Sequence, residues 1–321
     1  MTFLREIKEI GMIMLKKIIL ALFNRSSREK ALSVLGVYKN MDDEKFIKKI
    51  FRDTIGYELD LENPTTYNEK LQWLKLYDHR PEYTMMVDKN AVKDYVAKKI
   101  GKEYVIPTLG VWDNFDEIDF SKLPNQFVLK CTHDSGGLII CRDKSKLNLK
   151  KAKKKINKCL KRDYYKIWRE WPYKNVPHQI IAEEYMVDES GYELKDYKFF
   201  VMDGIVRALF IASDRQSKSG VCFDFYDHEF NHLPIINGHP NAKKLIQKPK
   251  NFEKMIELAE VLAKDIPQMR VDFYNINGKI YFGEITFFHF GGIVPFEPVE
   301  WDQKFGDWIT LPEKRVNSYE N

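Results

Sequence analysis

Cysteine is scarce in this chain, with four in 321 residues: Cys131, Cys141, Cys159 and Cys222. Their spacing builds neither a metal site nor the framework of a small secreted domain, so reduced thiols in a cytoplasmic setting are the simpler expectation. His133 and His289 have no second ligand near them in sequence, which argues against zinc. Long apolar runs are missing as well. The most apolar stretch, GMIMLKKIILALF over residues 11–23, is broken by Lys16 and Lys17 and falls short of the roughly 20 residues that cross a bilayer. No small-residue cleavage site follows it, against a signal peptide. Two readings of it stay open, a helix packed on the protein and an amphipathic helix lying in a membrane interface. There is no internal repeat, no G-x-x-x-x-G-K-[ST] phosphate loop and no D-x-D element. Charge of one sign does not dominate either, since 52 Lys and Arg against 47 Asp and Glu leave +5.

What is present describes a globular protein of two or three subdomains, 44% hydrophobic and 31% charged. Basic residues concentrate between Arg142 and Lys174. Within that stretch Ile156 and Leu160 give a one-sided apolar spacing, which predicts a basic amphipathic helix starting near Leu149. Its lysines suit either a solvated face or attraction to a polyanion or an anionic membrane surface. Residues 1–56 read as helical with a polar break at Asn24–Ser27. Thr65 or Thr66 caps the next helix, Glu69 lying a capping-box distance beyond Thr66. VDKNAVKDYVAKKIG is a helix stopped by Gly101. YVIPTLGVW, QIIAEEYM and both halves of FVLKCTHDSGGLIICRDKS read as strands. DYKFFVMDGIVRALFIAS is a hairpin turning at Asp203–Gly204. Asp214 to Lys250 shows few periodic signals, and FEKMIELAEVLAKDI is a helix. Hairpin turns outnumber strand-helix-strand alternations, so the predicted class is α+β with mostly antiparallel strands.

Two stretches carry chemistry. In FVLKCTHDSGG a lysine ends an apolar strand, and a Ser-Gly-Gly turn follows whose backbone N–H groups no side chain shields. Such a turn can be only a turn, or it can cradle phosphate oxygens beside Lys130. In MRVDFYNINGKIYFGEIT, Arg270, Asp272 and Glu284 interrupt two apolar strands. A two-residue Asn277-Gly278 loop would set Asp272 and Glu284 on opposite faces. A three-residue loop, Ile276-Asn277-Gly278, would pair Asn275 with Lys279 and bring all three charges to one face with Thr286, leaving Val271, Phe273, Tyr281 and Ile285 for the core. The second register is expected. A cross-strand ion pair alone would also explain Arg270 beside Glu284, but Lys89, Lys130 and Glu183-Glu184 upstream supply the lysines and carboxylates that a nucleotide site with magnesium needs.

In these segments, together with ELKDYKFFVMDG and FEPVEWDQKFG, the chain resembles the ATP-grasp superfamily, and more closely its TupA-like branch, from about Asn63 to Pro312. The resemblance implies an ATP-grasp-like α+β fold, two α+β subdomains clasping ATP behind an N-terminal helical extension. Expected boundaries are 1–60 for the extension, 61–125 for an N-terminal subdomain, 126–190 for the lid and 191–321 for the C-terminal subdomain with the metal hairpin. It implies ATP contacts from Lys89, Lys130, Ser135, Gly136, Gly137, Glu183, Glu184 and Asp196. It further implies magnesium ligands at Asp272, Glu284 and Thr286, the last standing where the family has asparagine, and a catalytic Arg270. FFHFGG departs from the family's Pro-Gly turn. The implied reaction joins an amine or amino acid to the carboxylate of a sugar acid, in a polymer or a lipid-linked glycan precursor, through an acyl phosphate in surface polysaccharide biosynthesis. Rival readings are a sugar kinase using the same ATP site, a glycosyltransferase of that pathway, and a polyanion- or membrane-binding module. The expected location is the cytoplasm, with peripheral contact at the inner face of the cell membrane and no nucleic-acid partner.

Overall fold

The computed structural model describes residues 25–191, 193–214 and 220–315. The apolar segment 11–23 lies outside them. Helices α1 (Arg25–Val34) and α2 (Asp43–Ile55) come first. The expected polar break at residues 24–27 is displaced: Ser26 and Ser27 are already helical, and the chain breaks near Gly36, whose φ of 76° suits glycine alone at no cost. Helix α3 (Tyr67–Tyr77) begins with Thr66, whose hydroxyl accepts the Glu69 N–H while the Glu69 carboxylate accepts the Thr66 N–H. Helices α4 (Glu82–Val87) and α5 (Val92–Lys99) follow, α5 ending just before Gly101 at φ 123°.

Two antiparallel sheets organise the rest. The smaller contains β1 (Thr108–Trp112), β2 (Phe127–Cys131), β3 (Ile139–Cys141) and β4 (Ile180–Glu184) in the order β1-β4-β2-β3. Its edge strand β1 comes from the N-terminal side of the boundary expected at residue 126. Helix α6 (Leu149–Leu160) covers one face, burying Ala152, Ile156 and Cys159 against Phe127, Leu129 and Cys131. This is the one-sided spacing seen in the sequence, with the lysines outward. Helix α7 (Tyr165–Trp168) leads back toward β4.

The larger sheet runs β10-β9-β5-β6-β7-β8, with β5 (Asp196–Met202), β6 (Ile205–Ser213), β7 (Cys222–Tyr226), β8 (His232–Leu233), β9 (Gln268–Ile276) and β10 (Lys279–Thr286). Strands β7 and β8 occupy part of the stretch that sequence periodicity left irregular. Helix α8 (Phe252–Leu262) packs its Phe252, Met255 and Leu258 side on this sheet, and α9 (Glu300–Asp307) packs against α3. Because β5 is fully buried along its length, its charged residues Asp196 and Lys198 must find partners inside the protein.

The β9–β10 hairpin differs from expectation in its turn. Ile276 pairs with Lys279, so the loop has two residues, with Asn277 and Gly278 at φ 54° and 91° as a type I′ turn requires. Asn275 closes it by accepting the Gly278 N–H at 2.8 Å. A bulge at Gly283 then shifts the register by one residue, so Glu284 faces Asp272 and Thr286 faces Arg270. Ahead of the bulge Ile280 and Phe282, rather than Tyr281, enter the core. The charges meet because of the bulge, not because of a longer loop. A side chain at Gly283 would bring its Cβ to 3.1 Å from the Asp272 carbonyl oxygen.

Candidate active site

The two sheets line a common cleft with residues 185–186 and 193–194 in its wall, and the carboxylates and cations of the sequence motifs converge there. On the lid side, Lys130 at the end of β2 pairs with Glu183 of β4 at 2.5 Å. Lys93 of α5, unremarked in the sequence, takes the other Glu183 oxygen at 2.6 Å and donates to the Ile106 carbonyl at 2.6 Å. Burial works to raise the Glu183 carboxyl, but Lys130 and Lys93 outweigh it and hold it down at about 2. Glu183 thus neutralises two lysines. Its neighbour Glu184 is exposed, as strand alternation requires.

Lys89 is anchored to the lid loop, its Nζ donating to the Asp134 carbonyl at 2.9 Å and its backbone N–H to that of Thr132. The Asp134 carboxylate accepts two bonds from Arg162, at 2.8 and 3.0 Å. This clamp fixes the root of the Ser135-Gly136-Gly137 turn while Ser135 and Gly136 stay exposed. Gly136 has φ 93°, and a Cβ at Gly137 would stand 2.8 Å from Cys159 Sγ. The turn therefore needs both glycines, one for its backbone and one for its closeness to α6.

On the body side, Arg270 donates to Asp272 through Nε at 2.7 Å and Nη2 at 2.9 Å, to Thr286 Oγ1 at 2.9 Å, and to Glu284 at 3.4 Å. Its remaining arm donates to His289 Nδ1 at 2.8 Å. The other His289 nitrogen meets Asn237 Oδ1 at 2.9 Å, an arrangement that places the proton on Nε2 and keeps the ring neutral. Burial lowers the His289 imidazole well below its usual range, and Arg270 lowers it further. Burial alone would lower Arg270; Asp272 and Glu284 reverse this and raise it.

Lys198 of β5, also missed in the sequence, bonds Asp272 directly, lies 3.3 Å from Asp196 and 3.9 Å from Glu284. The signal was available: Asp196 and Lys198 alternate with Phe200 on one face of an otherwise apolar strand. Asp272 is consequently spent on Arg270 and Lys198 and almost wholly buried, whereas the Glu284 side chain keeps 41% of its surface open to the cleft. Burial works to raise Glu284, but Lys198, Lys89, Arg270 and Lys130 together bring it down to about 2. For magnesium, which takes oxygen donors and commonly one or two carboxylates beside phosphates, Glu284 and the Thr286 hydroxyl fit. Asp272 fits as the anchor that holds Arg270 and Lys198 in place.

Two cavities flank this cluster. One, of about 280 Å³, has mostly apolar walls from Ile106, Val128, Ile140, Met186, Leu194 and Tyr274, with Lys130 and Glu183 also in its wall. Glu184 lines it and Asp196 does not. The other, of about 340 Å³, is bounded by Lys89, Ser135, Lys198, Arg270, Glu284 and Thr286, and by aromatic rings. Ser26 and Lys30 of α1 form part of its wall, a contribution that no sequence motif signals. Among the described residues no helix is long and apolar enough to cross a membrane.

The TupA-like ATP-grasp family model matches residues 69–310. Among solved structures, the chain is similar to D-alanine-D-alanine ligase from Helicobacter pylori, at 13% identity and a TM-score of 0.42 over 78% of this chain and 68% of that one. It is similar to L-amino acid ligase from Bacillus licheniformis, at 13% identity and 0.41 over 77% and 55%. The D-alanine-D-alanine ligase of Bacillus anthracis complexed with ATP matches at 13% identity and 0.37 over 78% and 63%. The chain thus spans 55% to 68% of the length of these three proteins. No curated protein matches the sequence.

Proposed function

The chain belongs to the TupA-like family of ATP-grasp ligases, and from that premise we propose that it uses ATP and magnesium to join an amine to the carboxylate of a sugar acid through an acyl phosphate. The observation that carries this reading is the convergence of Lys89, Lys130, Lys198 and Arg270 on the half-open Glu284 between two cavities. Phosphoryl transfer asks mainly for positioning and for neutralising charge on phosphate oxygens, and this cluster offers both. The purine of ATP enters the apolar cavity of about 280 Å³, with Glu184 to Met186 along its rim. Lys130 and Lys89 hold the phosphates, and the Ser135–Gly137 turn closes over them to keep water out. Asp196 acts through Lys198, which it helps to orient. Magnesium, held by Glu284 and Thr286 beside the Asp272 anchor, would supply charge neutralisation across the phosphates.

The acceptor lies in the cavity of about 340 Å³, whose wall includes Arg270 of β9 and Lys30 of α1. Arg270 is fixed by Asp272 and the neutral His289, so it meets the negative oxygen that develops in each transfer without having to reorganise. Sugar-acid glycans of a cell surface are polyanions. The exposed Lys150, Lys151, Lys154 and Lys158 on the outer face of α6 support that choice of partner, and support approach to an anionic membrane carrying a lipid-linked precursor.

Incubation with ATP, magnesium, uronic-acid acceptors and hydroxylamine tests the proposal. An acyl hydroxamate formed together with ADP is the expected product. Phosphate retained on a sugar hydroxyl would make the protein a kinase, and failure to bind any nucleotide would overturn both.

A further inference from the structure

Glu170 follows α7 and lines the cavity of about 340 Å³, yet only 5% of its surface is exposed. Its place is fixed from both sides. Arg169 ends the helix in a left-handed conformation at φ 56° and is clamped by the carbonyls of Tyr38 and Met41 and by Asp43. The Glu170 carbonyl accepts the Tyr173 N–H. The carboxylate itself has no hydrogen bond and no ion pair among the described residues. The cation that acts on it most, Lys75 of α3, lowers its cost by charge but makes no bond to it: its three N–H groups go to Gln72 Oε1 at 2.9 Å and to the carbonyls of Trp168 and Gly291 at 3.1 and 2.6 Å. A buried carboxylate without a partner is costly. Here it faces a cavity with room for one, among Trp168, Tyr164, Tyr173 and Phe288.

We propose that this end of the cavity binds the amine substrate as an alkylammonium ion, with Glu170 as its counter-ion and as the base that frees its lone pair for attack. The aromatic rings suit a cation with an apolar body. This rests on the amide-forming reading above. The substrate enters as R–NH3⁺ and gives one proton to the Glu170 carboxylate. Its nitrogen lone pair then forms the C–N bond to the acyl carbon, and the C–O bond to phosphate breaks with its electron pair leaving on the phosphate. The second proton departs with the phosphate as HPO4²⁻, and Glu170 returns its proton to water. The groups acting on Glu170 are Lys75 from α3, Arg270 from β9 and Lys30 from α1, beside the hydroxyls of Tyr164 and Tyr173. Burial pushes its carboxyl up, and with those cations opposing it settles at about 7, where a base exchanges protons readily at neutral pH.

The test is saturation-transfer NMR on the full chain with n-butylammonium, using 1-butanol as the uncharged probe of the same length, and a fluorescent ATP analogue as a separate readout. The wild type should bind n-butylammonium and not 1-butanol. Glu170→Gln should lower ammonium affinity by about tenfold or more while still binding the ATP analogue. Equal ammonium signals in wild type and Glu170→Gln, or none in the wild type, overturn the proposal even where ATP binds. Should the glutamine variant not fold, the wild type decides alone: equal signals from the two probes, or none from either, refute it. Loss of ATP binding in the wild type counts against the ligase reading and leaves the ammonium result to judge Glu170 on its own.

Discussion

Replacing Glu183 with glutamine should destabilise the protein by about 3 kcal/mol at neutral pH, more than any surface ion pair would account for. The magnitude follows from the lid geometry. One carboxylate, 5% exposed, holds Lys130 at 2.5 Å and Lys93 at 2.6 Å, and the pair bring it from 4.5 to about 2. At 1.36 kcal/mol for each tenfold change in proton affinity, that lowering corresponds to about 3 kcal/mol of folding stability. The sign is fixed by linkage. A carboxyl whose folded value is depressed contributes fully above its unfolded value and loses the contribution as pH falls toward the folded one. The difference between wild type and Glu183→Gln should therefore be complete above pH ~5, fall below half by pH ~3, and vanish near pH ~2. Urea denaturation at a series of pH values, followed by tryptophan fluorescence, measures it. A variant within ~0.5 kcal/mol of wild type at pH ~7, or a difference that does not shrink in acid, would refute the reasoning.

Asp272→Asn and Glu284→Gln should separate structure from catalysis. Asp272 is buried against Arg270 and Lys198, so the asparagine variant should lose about 3 kcal/mol of stability together with turnover. Glu284 is 41% open, so solvent screens the cations that lower its carboxyl, and its variant should lose clearly less stability than Asp272→Asn while magnesium-dependent ADP release disappears; equal melting losses in the two would contradict the anchor role of Asp272. Gly137→Ala should cost roughly 1 to 3 kcal/mol, because its Cβ meets Cys159 Sγ at 2.8 Å and Cys159 Cβ at 2.9 Å, and Cys159→Ala in the same chain should restore little of that loss, since the Cβ contact stays. Thr66→Ala should cost about 1 kcal/mol through the broken capping box, read by chemical denaturation.

The pattern along the chain was sufficient for much of this. Short apolar runs bounded by turn residues placed β1 to β6, β9 and β10, and a polar hydroxyl three residues before Glu69 placed the start of α3, because those signals act within a few residues. β7 and β8 escaped since their short runs gain stability only by pairing, β7 with β6 and β8 with β7. The charges that cluster were also visible, but not all of them. Lys198 sits in an apolar strand like Arg270 and could have been read, whereas Lys93, on a helix with many lysines, offered no sign of pairing with Glu183.

The sequence alone determined that Arg270, Asp272 and Glu284 lay within one hairpin, and that Lys89 and Lys130 preceded it with a glycine turn. Whether the hairpin charges met was not a local matter. The turn at Asn277-Gly278 favours the register that separates them, and a one-residue bulge at Gly283 reverses this further along β10, where the strand twists against β9. Tertiary structure also decided which carboxylates are spent and which are open. Asp272 and Glu183 are consumed by cations from other elements, while Glu284 faces the cleft and Glu170 lines a cavity without an ion pair of its own among the described residues. Exposure and pairing depend on what folds over a residue from hundreds of positions away, and the linear pattern does not encode that distance.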